Sequence, residues 1–402
     1  MTDYIPKTAR RARLWLVLLA VAPLGLAGCA DDEVSQLGAQ SRDPEADSVA
    51  VEAEIAVPDT ASLTAGEAIE LTLAEAADSA AAADSAAAAD SAAAAAAAQG
   101  ADSTAPAAPS APAAPTRRYN AGEDPEFAAR QGWPVQGPAP REGALLPDNR
   151  IVCYYGNPNS TRMGALGQYP KEEMLDRLAQ QIDKWEEADP ETPVMPCLHM
   201  ISVVAQGEAG ASGHYRSIMR DTTVQMVYNW AKEIDGIFII DFQVGTDDIR
   251  NLLPRFEWIL KNPDVHVAVD PEFYMQDGAR PGRRIGSMDA SDINYVTEYL
   301  ANIVRENNLP PKTLVIHRFT RGMVTNSSDI RLRPEVQVVI HMDGWGAPWL
   351  KRDSYRDYIV TEPVQFTGFK IFYGNDSKGG VPIMEPADLL RLRPVPVYVQ
   401  YQ

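Results

Sequence analysis

From residue 151 to residue 402 the chain alternates short apolar runs with stretches whose apolar residues recur every three or four positions. The runs are "IVCYYGNP" (151–158), "VMPCLHMISVVAQ" (194–206), "GIFIIDFQVG" (236–245) and "VHVAVDPEF" (265–273), then "TLVIHRFT" (313–320), "VQVVIHMDGWG" (336–346), "FTGFKIFYGN" (366–375) and "PVYVQYQ" (396–402). Between them Met174, Leu178, Ile182 and Trp185 lie at helical spacing, as do Val224, Val227, Tyr228 and Ala231. Two more helices are predicted by Ile249, Leu252, Leu253, Phe256, Ile259 and Leu260, and by Ile293, Val296, Leu300, Ile303 and Val304. The gap after the fifth run reads as loop around Pro334, and the gap after the sixth as one helix near 354–360.

Strands apolar on both faces, alternating with helices, form a parallel sheet covered on both sides. Eight such units over roughly 250 residues predict an α/β fold, the (β/α)8 TIM barrel. An open doubly wound sheet is the alternative. It is disfavoured because "YYGNPNSTRMGALG" after the first run does not space its glycines as GxGxxG.

In such a barrel the active site lies at the C-terminal strand ends. Polar residues gather late in nearly every run: Tyr155 and Asn157, His199 and Gln206, Asp241 and Gln243, Asp270 and Glu272. Then come His317 and Arg318, His341, Asp343 and Trp345, Tyr373 and Asn375, and Gln400 and Gln402. His199 and His266 also fit hydrogen-bonded core histidines low in the barrel. In "VHVAVDPEFYM" (265–275), Val265, Val267 and Val269 fall on one side of an extended chain; His266, Ala268, Asp270 and Glu272 fall on the other. Read as one strand, Asp270 and Glu272 share a face roughly 6–7 Å apart. Like charges so close push one pKa upward, and a protonated Glu beside an ionised Asp is what a general acid requires. The catalytic candidates are therefore Glu272, Asp270, Asp241 and Asp343. The substrate-binding candidates are Tyr155, Asn157, His199, Gln243, His317, Arg318, His341, Trp345, Tyr373 and Gln400, with aromatic rings for stacking on sugars and amides for hydroxyl groups.

The ends of the chain are of a different kind. Lys7, Arg10, Arg11 and Arg13 precede an apolar run from Leu14 to Leu26, too short to cross a bilayer as a conventional helix and suited to an export signal. The run ends in "LAGC", Leu26 to Cys29, which resembles the lipobox of bacterial lipoproteins. The resemblance implies cleavage before Cys29, its lipidation, and a place in the cell envelope. Ala30, where Asp would mark inner-membrane retention, implies the outer membrane in a diderm host. Residues 30–116 hold sixteen acidic residues against one basic residue, Arg42, so most of the net charge of −19 belongs here and says little about the folded domain's ligand. "ADSAAA" repeats with Asp78, Asp84 and Asp90, and "APAAPSAPAAP" follows. Large apolar side chains are too few for a core, and the stretch reads as a tether. The layout expected is signal peptide 1–28, acidic low-complexity tether 29–116, ordered lead-in 117–147 with Trp133, and barrel 148–402.

Cys153 and Cys197 lie in runs expected to be neighbouring strands. In an exported chain they form a disulfide or remain two small buried hydrophobes, and the residues alone leave both open. No CxxC, HExxH or tight Cys/His cluster occurs, so neither a structural zinc nor another cofactor is expected. Nucleic acid is not an expected partner, since the domain is net acidic with no basic stripe.

The D-x-E at 270–272 and "MDGW" at 342–345 resemble the chitinase-type glycoside hydrolases, whose barrels carry such residues after strands four and six. The resemblance implies Glu272 as proton donor, Asp270 as its modulator and Asp343 as a substrate-orienting group. The longer D-x-x-D-x-D-x-E signature is absent, since residues 265 and 268 are Val and Ala. Over most of 150–402 the chain is also similar to a group of exported bacterial proteins that share "DPEF" and a terminal "QYQ", a likeness that implies the barrel but no activity. Three functions are then expected to compete: a lipid-anchored glycoside hydrolase on envelope or extracellular glycan, a divalent-metal hydrolase or isomerase using Asp241, Glu272, His317, His341 and Asp343, or a non-catalytic polysaccharide-binding barrel. Arg318, Arg321 and Arg331 suit an acidic sugar or a solvated basic loop.

Overall fold

The computed structural model describes residues 119–402. The signal peptide, Cys29 and the tether fall outside these described residues. Eight parallel strands close on themselves: β1 (Arg150–Gly156), β2 (Val194–Ala205), β3 (Ile237–Phe242), β4 (Val265–Val269), β5 (Lys312–Arg318), β6 (Val336–Met342), β7 (Phe366–Ile371) and β8 (Tyr398–Tyr401). Each pairs with the next, and β8 pairs with β1, so the sheet of these eight has no free edge. This is the expected (β/α)8 barrel. A short strand, Arg216–Ile218, runs antiparallel to the end of β2.

Alternation sorts each strand into two cores. Val265, Val267 and Val269 of β4 join the large cluster beneath the helices, with Leu314, Ile316, Val338 and Ile340. Ala268 joins the barrel interior, with Ile151, Cys153, Cys197, Ile239, Val315, Val339 and Tyr398. The helices lay their periodic faces on the outside. Helix α1 (Lys171–Ala188) buries Met174, Leu178, Gln181 and Trp185, and α2 (Asp221–Glu233) buries Val224, Val227, Tyr228 and Ala231.

The third periodic stretch is not one continuous α-helix. It runs as Ile249–Leu252, a 3-10 turn over Leu253–Phe256, and Glu257–Leu260. Pro254 has no N–H to give the helical ladder, and the chain tightens around it while keeping all six apolar residues buried. Helix α3 (Ala290–Asn307) is regular, with Asp289 accepting from Ser291 N at its start. The sixth gap holds Pro348–Ser354 continuing as a π-turn over Tyr355–Val360, so its helix begins earlier than expected, at a proline suited to a first turn.

Residues 119–147 pack on the barrel. Trp133 Nε1 donates to Val360 O at 2.9 Å. Leu145 N and Leu146 N donate to Gln337 Oε1, and Gln337 Nε2 donates to Leu146 O at 2.6 Å, which caps the N-terminal end of the interior. Cys153 and Cys197 are bonded to each other, which resolves that alternative. They are register partners on β1 and β2, so the fold brings them together without distortion of the ladder.

Candidate active site

Above the apolar interior layer the barrel fills with polar side chains. β1 sends in Tyr155, β2 His199, β3 Asp241, β5 His317, β6 His341, β7 Lys370 and β8 Gln400, every one nearly or wholly buried. Asp270 and Asp343 follow directly after β4 and β6 and are 4% and 8% exposed. Burial of this many ionisable groups is costly unless they compensate one another.

They do so around His317. Its Nδ1 lies 2.8 Å from Asp343 Oδ2, and its Nε2 lies 3.4 Å from Asp241 Oδ2. Asp343 Oδ1 in turn lies 2.8 Å from Lys370 Nζ, whose ammonium sits 4.0 Å from the centre of the Tyr155 ring. Asp241 Oδ1 accepts from Phe242 N at 2.8 Å, while its Oδ2 also lies 3.3 Å from His199 Nε2. His199 Nδ1 is 2.6 Å from Tyr398 Oη and 2.9 Å from Gln400 Nε2. His341 packs between His317 and Tyr398, its ring centre 5.1 and 5.0 Å from theirs. Gly368 makes room for it: a Cβ there would lie 2.6 Å from His341 Nδ1.

The proximity of charge sets the protonation. Burial alone would depress His317, but Asp343 and Asp241 outweigh it and raise the imidazole to about 10. Burial pushes Asp241 and Asp343 up; the cations outweigh it and hold both well below the usual carboxylate range, His317 chiefly for Asp241, and Lys370 then His317 for Asp343. Burial lowers His199 to about 4, partly offset by Asp241, so its approach to Asp241 is that of a neutral ring. Asp270 is raised to about 7 by burial, with His317 opposing and Asp241 and Asp343 adding to the rise.

The turn after β4 departs from expectation. β4 ends at Val269, and Pro271–Phe273 coils as a 3-10 turn with Asp270 at its cap, Oδ1 accepting from Glu272 N at 3.2 Å. Asp270 and Glu272 therefore do not share a strand face. Pro271, with φ fixed near the helical value, starts the coil. Asp270 Oδ2 reaches Gln243 Nε2 at 3.5 Å, and Gln243 Oε1 accepts from Ala205 N, so Asp270 is anchored to the floor while Glu272 is only partly buried. The buried carboxyl pushed up is Asp270, where the strand reading had placed the effect on Glu272.

The structure thus brings together Tyr155, His199, Asp241, Gln243, Asp270, His317, His341, Asp343 and Gln400. It places others elsewhere. Arg318 points outward, its Nη2 donating to Glu362 Oε2 at 2.6 Å and to Arg321 O. Arg321 pairs with the same Glu362, whereas Arg331 lies on the exposed loop. Tyr373 stacks on Tyr401, and its hydroxyl meets those of Tyr154 and the amide of Gln181 on α1, on the outer wall. Asn157 is committed to Ile201 O. Trp345 follows β6 with Lys378 Nζ 4.6 Å from its ring centre. Sequence reasoning passed over Lys370 and Tyr398. The signal was there: a lysine two residues after Gly368 inside an apolar strand, and a tyrosine two residues before Gln400, both on the inward parity.

No protein-family model matches the chain, and no curated protein does. Among solved structures it is similar to a sugar phosphate isomerase/epimerase from Parabacteroides distasonis, at 11% identity over 66% of this chain and 90% of that one, with a TM-score of 0.28. It is also similar to a ruminal GH26 endo-beta-1,4-mannanase, at 10% identity over 69% of this chain and 65% of that one, with a TM-score of 0.27. Both scores are too low for either likeness to bear on what this chain does.

Proposed function

We propose that this chain is an enzyme outside the cytoplasm, lipid-anchored through Cys29 and held off the membrane by the 29–116 tether, that cleaves glycosidic bonds of envelope or extracellular glycan. The observation that carries the reading is the Asp270–Pro271–Glu272 turn. Asp270 is pinned to the buried floor by Gln243 and by Glu272 N, which fixes Glu272 just past the strand end, where it remains partly exposed. Glu272 is then the proton donor and Asp270 the residue that positions it. Asp343, paired with Lys370 and His317 and more exposed than Asp241, is the ionised carboxylate within reach of substrate.

In the reaction, Glu272 gives its proton to the leaving oxygen as the C–O bond breaks. Water adds to the anomeric carbon and yields its proton to a carboxylate. Gln243 and Gln400 suit sugar hydroxyls, and Trp345 suits an apolar sugar face.

The test is release of reducing ends from a panel of envelope and extracellular glycans by the full chain. Glu272→Gln is expected to lose about a hundredfold or more, and Tyr373→Phe, on the outer wall, to lose nothing. Full activity in Glu272→Gln overturns the assignment. Tight glycan binding without any release overturns the enzyme in favour of a binding barrel.

A further inference from the structure

His199 Nε2, His317 Nε2 and Asp241 Oδ2 converge inside the barrel, fully buried, and none of the three makes a hydrogen bond. Leaving buried polar atoms unsatisfied costs on the order of 1–3 kcal/mol apiece, so three aimed at one another require a reason. We infer that these three atoms hold one divalent transition-metal cation of the zinc type. The inference stands on geometry alone and does not depend on the glycan reading.

The separations fit. Asp241 Oδ2 is 3.3 Å from His199 Nε2 and 3.4 Å from His317 Nε2, and all three atoms lie within 4.8 Å of one another. Donors about 2.0–2.1 Å from a tetrahedral zinc stand about 3.3–3.4 Å apart. The same contacts, at 3.3 and 3.4 Å, are long for charge-assisted hydrogen bonds.

The outer partners fit as well. A histidine bound through Nε2 must carry its proton on Nδ1 and give it to something. His317 Nδ1 lies 2.8 Å from Asp343 Oδ2, a carboxylate–histidine pair that fixes the ring. His199 Nδ1 lies 2.6 Å from Tyr398 Oη, which can accept. Gln400 adds to this: its Nε2 faces His199 Nδ1 while its buried Oε1 has no partner. Turning the amide by half a turn puts the oxygen opposite a His199 Nδ1–H and leaves the lone pair of His199 Nε2 for the cation. Asp241 Oδ1 is held by Phe242 N, which leaves Oδ2 for the same position.

A second group of candidate ligands, His317, His341 and Asp343, shares His317. His341 and Asp343 Oδ1 also make no hydrogen bond, but this group is the weaker choice, because both oxygens of Asp343 sit 2.8 Å from His317 or Lys370, closer than the 3.3 and 3.4 Å contacts of Asp241 Oδ2. Three protein donors of two imidazoles and one carboxylate suit zinc and leave a coordination position for water or substrate. A bound cation of this kind would supply a Lewis acid to the barrel floor. A proton on His317 Nε2 is its competitor.

The experiment uses the untagged full chain in detergent, stripped with chelator, reloaded with zinc chloride and freed of excess. Zinc per chain is measured by mass spectrometry and affinity by competition with a chelating dye. About one zinc per chain is expected in the wild type and in His214→Ala, which alters a histidine outside the group. Asp241→Asn and His317→Gln are expected to bind at least about a hundredfold more weakly, and Asp343→Asn about tenfold. Should these variants not fold, the cobalt-loaded wild type decides: an intense four-coordinate visible spectrum supports the site, and a pale six-coordinate spectrum or none overturns it. A wild type that retains no zinc, or folded Asp241→Asn and His317→Gln variants that hold it as tightly as wild type, also overturns it.

Discussion

His317 on β5 and Asp343, just past the end of β6, meet at 2.8 Å with one of them wholly buried and the other nearly so. The contact joins adjacent strands and passes on to Lys370 of β7, so three consecutive strands share one charged network. Asp343→Asn strands Lys370 without its anion and leaves His317 with Asp241 alone. Breaking a buried pair in this way costs about 3–5 kcal/mol, which urea unfolding will read. Lys370→Met alone should cost a similar amount. The double variant should cost less than the sum, because each single change leaves a charge that the other removes.

Gly368 is required by its neighbours rather than by its backbone. A Cβ would sit 2.6 Å from His341 Nδ1, 2.9 Å from Tyr398 Cδ1 and 3.1 Å from Tyr398 O. The imidazole can shift; the strand backbone cannot. Gly368→Ala is expected to destabilise by about 1–3 kcal/mol in thermal unfolding. Gly374→Ala, with nothing within 4 Å, should be neutral.

The Cys153–Cys197 bond closes a loop with a sequence separation of 44. Loop-closure entropy for that length corresponds to about 4 kcal/mol, less whatever structure the reduced unfolded chain retains. Cys153→Ala with Cys197→Ala should lower unfolding stability by about 2–4 kcal/mol. A reductant should reproduce the loss in the wild type and leave the double variant unmoved.

Lys312 lies at the opposite end of the barrel from the site, its Nζ donating to Asn262 O. Burial lowers it to about 7, with Asp264 opposing. The folded state therefore resists a proton that the unfolded chain takes up. Between pH 7 and about 10 the unfolded state binds more protons, and this group's contribution rises with pH by at most about 1.4 kcal/mol per unit. Below pH 7 both states are charged and its penalty is complete. Lys312→Met should be more stable than wild type at pH 6, and the gap should narrow by pH 9. An unchanged or widening gap would contradict the sign.

Much of this was legible in the sequence because it depends on local periodicity. Period-two and helical spacing mark strands and helices wherever one face is buried, so eight strands and their helices could be read from Ile151 onward. The same alternation put Val265, Val267 and Val269 outside and His266, Ala268 and Asp270 inside, as found. Parity within a strand also placed His199, Asp241, His317 and His341 in the interior.

What periodicity could not supply is where regular structure stops. Pro271 coils the chain after Val269, and from there alternation no longer decides a direction: Asp270 stays on the floor and Glu272 separates from it. Tyr373, by contrast, keeps the outward parity of Phe369 and Ile371, so alternation counted through β7 already puts it on the outer wall. Nor could local spacing show which charges meet. His317 lies 26 residues from Asp343 in the chain and 2.8 Å from it in space, and only the pairing of β5 with β6 makes them neighbours. Their acidities follow from that proximity and from the loss of water around them. The sequence by itself determined the barrel and the inward set of side chains; the tertiary structure decided which of them meet as ion pairs and how burial and those neighbours set their protonation.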